Sequence, residues 1–140
     1  MPAPLLVVDT SALYAVADGS DDDHNACDEL LGTFTGELVV PTPVVVESSW
    51  LICDRLGAAA EASFLRSVTT GELRREDLTD ADWERALALV EGYADLALGL
   101  VDASIVAVAE RLGVGNIATL NHRDFRVVRP RHTEAFQLLP

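Results

Sequence analysis

Apolar residues fall into two kinds of run along this chain. Leu5-Leu6-Val7-Val8, Leu38-Val39-Val40, Ile117-Ala118-Thr119-Leu120 and Phe136-Gln137-Leu138-Leu139 are short and nearly unbroken. Such runs predict strands buried on both faces. Between them lie longer stretches in which apolar residues recur every three or four positions, the helical period. A short helix runs through Tyr14 and Val16, with Ser11 or Asp9 as its cap. A second spans about Asp22 to Leu31, with Ala26, Cys27, Leu30 and Leu31 on one side. Thr42-Pro43 opens a third, since Thr caps and Pro suits the first helical position. It runs through Glu47, Trp50 and Leu51 to a stop near Gly57. Ala58 to Val68 is a fourth, ending near Gly71. Thr79 starts a fifth, with Asp80 and Asp82 at the favourable end of the helix dipole. Residues 101–112 form the most apolar helix, closed by Gly113 at the position after the last turn.

Strands separated by helices imply an α/β fold: a short, mostly parallel sheet of four to five strands with helices on both faces. The 140 residues fit one domain, 1–140, and 49% apolar content supplies its core. No uncharged apolar run reaches the roughly 18 residues a membrane span needs. The start lacks a basic stretch and its apolar run is too short for a signal peptide, so the chain reads as cytoplasmic. Cys27 and Cys53 form no Cys-x-x-Cys pair and read as buried packing residues.

In parallel sheets, sites form beyond the carboxyl ends of the strands. Asp9 directly follows the first strand, and Asn121 follows the third, with Asp124 three residues on. Two further acids sit in apolar helices: Glu47 after Val44-Val45-Val46, and Asp102 between Val101 and Ala103. An acid in a buried helix must be paired, capped, protonated or metal-bound. Taken singly, each has an ordinary explanation. Asp102 suits a helix N-terminus, Glu47 a half-exposed helix position, Asp9 a cap, and Asn121 and Asp124 a turn. Taken together, carboxylates converging at one edge repel: a pair about 5 Å apart costs roughly 3 kcal/mol at an effective dielectric of about 20. The chain has no Lys to offset this. A divalent ion would, and oxygen donors without His or Cys suit Mg²⁺ or Mn²⁺.

The net charge of −13 argues at first against a nucleic-acid partner. All ten cations are Arg, however, and Arg123, Arg126, Arg129 and Arg131 fall within nine residues, beside His122 and His132. A basic strip can sit on an acidic body, although a solvated loop edge would look the same.

Val7-Val8-Asp9-Thr10-Ser11-Ala12-Leu13 resembles the opening motif of PIN-domain nucleases, and Pro43-Val44-Val45-Val46-Glu47 their second. The segment from Gly99-Leu100-Val101-Asp102-Ala103 to Arg111-Leu112-Gly113 is similar to the third, and Ala118-Thr119-Leu120-Asn121-His122-Arg123-Asp124-Phe125 to the fourth. Size and motif order are most similar to VapC toxins, over about residues 5–139. The resemblance implies a three-layer PIN-like domain and an endoribonuclease dependent on Mg²⁺, or Mn²⁺, that hydrolyses RNA phosphodiesters by metal-activated water. It implies a homodimer and a VapB-type antitoxin partner. Asp9, Glu47 and Asp102 match the metal-binding acids. Asp124 is the expected fourth acid, with Asn121 a neutral hydrogen-bonder or weak ligand. Ser11 either orients Asp9 or caps its helix. Arg123, Arg126 and Arg129 are candidates for the RNA backbone. The helix face around Val45, Trp50, Leu51 and Phe64 is a candidate groove for the antitoxin, or ordinary core, and Asp95 reads as a surface acid. A receiver domain or a haloacid-dehalogenase-like phosphatase would need a Lys, which is absent. A PIN-like RNA- or protein-binding module with a degenerate fourth motif is the alternative.

Overall fold

Leu6, Val7 and Val8 are completely buried, as a strand covered on both faces requires. They belong to β1 (Leu5–Val8), the middle strand of a sheet completed by β2 (Glu37–Pro41), β3 (Leu73–Glu76), β4 (Asn116–Ala118) and β5 (Gln137–Leu139). The computed structural model describes residues 2–140. The five strands run in the order β3-β2-β1-β4-β5. Every neighbouring pair is parallel, with Val7 opposite Val39 on one side and Ile117 on the other. The chain therefore builds outward from β1 in one direction and then returns to build outward in the other. The β1/β4 junction is the point where the strand order reverses, which is where parallel sheets open a crevice.

Helices flank the sheet: α1 (Thr10–Ala17), α2 (His24–Thr33), α3 (Thr42–Leu56), α4 (Ala58–Thr69), α5 (Asp80–Gly92), α6 (Leu100–Leu112) and α7 (His122–Val127), with a 3-10 turn at Ala94–Leu96. The α6 run from Ala103 to Ala109 is buried throughout, packed between α3 and α5 and against β1 and β2. Gly113 ends α6 at φ +69°, a left-handed conformation that Gly adopts without a Cβ clash. Thr79 and Asp82 close a reciprocal capping box at the start of α5.

Several local expectations change. Asp9, not Ser11, caps α1, which begins one residue earlier than Ser11. Thr42 does not cap α3. Pro41 holds that position, Thr42 is already helical, and its hydroxyl donates to Asp77 Oδ1 instead. β3 has no apolar run to announce it. As an edge strand paired only to β2 it carries Leu-Arg-Arg-Glu, with Arg74 tied to Glu37 and Glu76. β4 ends at Ala118, short of Thr119 and Leu120. The residues expected in a turn after it begin a helix, α7, capped by Asn121. Cys27 is buried, but Cys53 is only partly so. Among the described residues, no helix is long and apolar enough to cross a membrane.

Candidate active site

The first residue beyond β1 is Asp9, 5% exposed. Three donors hold its carboxylate. Thr10 N–H donates to Oδ1 at 2.7 Å, while Ser11 Oγ at 3.1 Å and Thr119 Oγ1 at 2.8 Å donate to Oδ2. Burial pushes the Asp9 carboxyl up, the donors from Thr119, Thr10 and Ser11 pull it back, and the net direction is upward. Each hydroxyl also accepts a backbone N–H: Ser11 Oγ from Leu120 at 2.9 Å, and Thr119 Oγ1 from Asn121 at 2.9 Å. Asp9 thus anchors the chain leaving β4 to the chain leaving β1.

Asp102 occupies the first turn of α6, where the dipole favours a negative charge. Its carboxyl is nevertheless raised to about 7, first by burial and then by Asp9, Asp124 and Glu47. Desolvation and three like charges outweigh one helix end. Glu47 is exposed on α3, not buried in an apolar helix as its neighbours suggested. Among the described residues, neither Glu47 nor Asp102 has a side-chain hydrogen-bond donor or a cation for a partner. Asp9, Ser11, Glu47, Asp102 and Asn121 line one cleft of about 560 Å³. Asp124 flanks it from α7: Asn121 Nδ2 donates to Asp124 Oδ2 at 3.0 Å, and Asp124 N–H donates back to Asn121 Oδ1 at 3.5 Å.

No three acids or histidines among the described residues already form a closed chelate. The donors ring the cleft instead. That arrangement fits Mg²⁺, which keeps several waters and binds through one or two carboxylates together with substrate phosphate. The unpartnered oxygens of Glu47 and Asp102 would be the donors open to such an ion, beside Asp9 and Asn121.

The PIN domain family model matches residues 6–129. The chain belongs to the PIN-domain family. It is 34% identical over 135 residues to Ribonuclease VapC26 of Mycobacterium tuberculosis, covering 96% of this chain and all of that protein, which places it among VapC-type PIN domains. The fold agrees. The structure of VapC20 from M. tuberculosis, a sarcin-ricin loop cleaving toxin, superposes with TM-score 0.75 at 23% identity over 80% of this chain and 86% of that one. A toxin–antitoxin complex from Klebsiella pneumoniae gives 0.69 at 20% identity, over 88% and 92%. VapBC2 from Rickettsia felis gives 0.69 at 14%, over 97% and 99%.

The PIN sheet brings together Asp9, Ser11, Glu47, Asp102 and Asn121, with Asp124 at the edge, but it scatters other candidates. Asp95 is exposed on the 3-10 turn and does not line the cleft. The helix face around Val45, Trp50, Leu51 and Phe64 is not one surface. Val45 is buried, Trp50 is 65% exposed, Leu51 lines the acidic cleft, and Phe64 lines a separate groove with Leu13 and Leu31. Arg74, Arg75, Arg85 and Arg111 are ion-paired. Arg123, Arg126 and Arg129 are exposed without an acidic partner among the described residues, and Arg129 Nη1 caps the Arg126 carbonyl at 2.7 Å. Sequence pattern does not single out Thr119, although it makes the shortest side-chain bond to Asp9. Its one sequence signal is a hydroxyl in an otherwise apolar strand run.

Proposed function

We propose that this protein is a Mg²⁺-dependent endoribonuclease, with Mn²⁺ as a substitute, and the toxin of a VapBC-type toxin–antitoxin pair. The observation that carries the reading is the convergence of Asp9, Glu47 and Asp102 on one cleft, with Asp124 held beside it by Asn121, on a PIN-domain fold. Asp9, Glu47 and Asp102 hold the ion, with Asn121 and Asp124 completing its surroundings. A divalent ion bound there supplies an activated water and offsets charge that builds on the phosphate.

The protein's own groups do the rest. Ser11 and Thr119 fix the Asp9 carboxylate, so its oxygens are set before substrate arrives. Asp102, raised toward neutrality, becomes an anion when a cation is present to share its field. Arg123, Arg126 and Arg129 draw the RNA backbone toward a surface that is otherwise acidic. A VapB-type antitoxin is the proposed partner, supported by the likeness to solved toxin–antitoxin complexes. A homodimer and a cytoplasmic location belong to the same reading.

The test is cleavage of labelled total RNA by the purified, antitoxin-free protein with Mg²⁺, with Mn²⁺ and with EDTA, beside Asp102→Asn. Discrete metal-dependent fragments that vanish in the variant are expected. A folded, metal-loaded protein that leaves the pool intact would overturn the reading in favour of a binding module, with Asn121 the first residue to examine.

A further inference from the structure

The family match ends at residue 129, and one strand of the sheet lies beyond it. Residues 130–139 lead from α7 to β5, an edge strand of three residues with β4 as its neighbour. Little apolar surface holds this segment. Residues 131–135 and Gln137 are exposed, and Leu138 and Leu139 are half-buried. Two side chains anchor it. Phe136 is buried, and His132 lies against it with ring centroids 5.8 Å apart while its Nε2–H donates to the Val114 carbonyl at 2.7 Å. A short edge strand with so few anchors belongs to the part of a fold that opens most easily.

The far end of this segment meets the carboxylate site. The Leu139 carbonyl accepts the Thr119 N–H at 2.8 Å. Thr119 is the first residue beyond β4 and is completely buried. Its other polar groups are also engaged: Oγ1 donates to Asp9 and accepts the Asn121 N–H, and its carbonyl accepts from His122 Nε2 at 2.9 Å. Losing Leu139 would leave a buried N–H without a partner, which the backbone relieves by moving. Any such movement carries the Thr119 hydroxyl off Asp9.

We propose that residues 130–139 are a positioning brace for the ion site: docked β5 fixes Thr119, Thr119 fixes Asp9, and release of β5 lowers the affinity of the cleft for a divalent ion. The proposal rests on the metal-dependent ribonuclease reading and adds a means of regulating its site. None of residues 130–139 lines the cleft, so the brace acts only through Thr119. Lifting β5 off β4 then weakens the site without touching a ligand.

The test compares the full chain, a chain ending at Leu138, Thr119→Val, and the two changes combined. Mn²⁺ affinity is read by calorimetry and folding by urea denaturation. The shortened chain should bind Mn²⁺ about 10- to 100-fold more weakly, the range for loss of a group that orients a metal ligand. Because both changes break one path, the combined chain should lose no more than about threefold beyond Thr119→Val alone. Unchanged affinity in a folded shortened chain overturns the brace, and so do losses that multiply. Hydrogen exchange on the unaltered chain reads the same coupling in reverse and needs no variant to fold. Saturating Mg²⁺ should slow exchange at Thr119 and residues 137–139, since coupling between two sites is reciprocal. Unchanged exchange there in the ion-loaded protein also overturns the brace. Brace-dependent Mn²⁺ affinity in a protein that cleaves no RNA sustains the brace and rejects the ribonuclease.

Discussion

Thr119 Oγ1 and Asp9 Oδ2 are 2.8 Å apart, although 110 positions separate the two residues in the chain. The bond spans the β1/β4 junction and joins the two strand ends around which the acids gather. Thr119→Val keeps the shape and removes the donor, which leaves a buried carboxylate short of one partner. The expected cost is about 1–3 kcal/mol of stability and a roughly 10- to 100-fold loss in Mn²⁺ affinity or activity. Thr119→Ser should recover most of both. Urea denaturation and calorimetric Mn²⁺ titration measure them.

The raised Asp102 carboxyl makes stability depend on pH in a definite sense. Its folded value, about 7, lies above the ordinary 3.8. The folded chain therefore holds this proton over that interval while the unfolded chain does not. The contribution is complete below the ordinary value and is lost as pH rises through about 7. In EDTA, the melting temperature should fall as pH rises from about 4 to about 7 and level off above, and Asp102→Asn should flatten the fall. Mn²⁺ should raise the melting temperature more at the upper end of that range than at the lower end. Equal stabilisation at both ends would remove Asp102 from the ion's ligands.

Glu110 behaves oppositely. Burial alone would raise its carboxyl, but the bidentate Arg85 contacts at 2.8 and 3.0 Å and the Arg131 N–H at 2.7 Å hold it below the usual range. Its stabilisation is present above about 4.5, the ordinary value, and is lost as pH falls through the depressed one. Glu110→Gln should cost about 1–3 kcal/mol in denaturation at neutral pH. RNA cleavage per folded molecule should stay near wild type, since Glu110 lies outside the cleft.

Among the described residues Arg126 and Arg129 have no carboxylate partner, so on the proposed function their contribution to RNA binding is electrostatic. Each Arg→Ala change should weaken binding across sequences alike and lower the slope of log K against log salt by about one. Filter binding in Ca²⁺ at several salt concentrations reads both quantities. An unchanged slope would make the strip structural, as the Arg129 bond to the Arg126 carbonyl also allows.

The amino-acid sequence by itself determined the elements that bury apolar surface. β1, β2 and the wholly buried stretch of α6 are legible because burial imposes a period and a length. It also placed Asp9, Glu47 and Asp102, since an acid set in apolar sequence demands a reason. Polar elements escaped. β3 is an edge strand stabilised by ion pairs across to Glu37, and α7 is six residues long and rests on the Asn121–Asp124 box, so neither has a hydrophobic period to read. Only the tertiary structure decided which hydroxyl reaches Asp9, that Ser11 bonds the chain beyond β4, that Glu47 is exposed, and that Trp50, Leu51 and Phe64 part company. These are contacts between strand ends and helices distant in sequence. They are fixed by strand order and register, whereas local pattern specifies only which face of each element is buried.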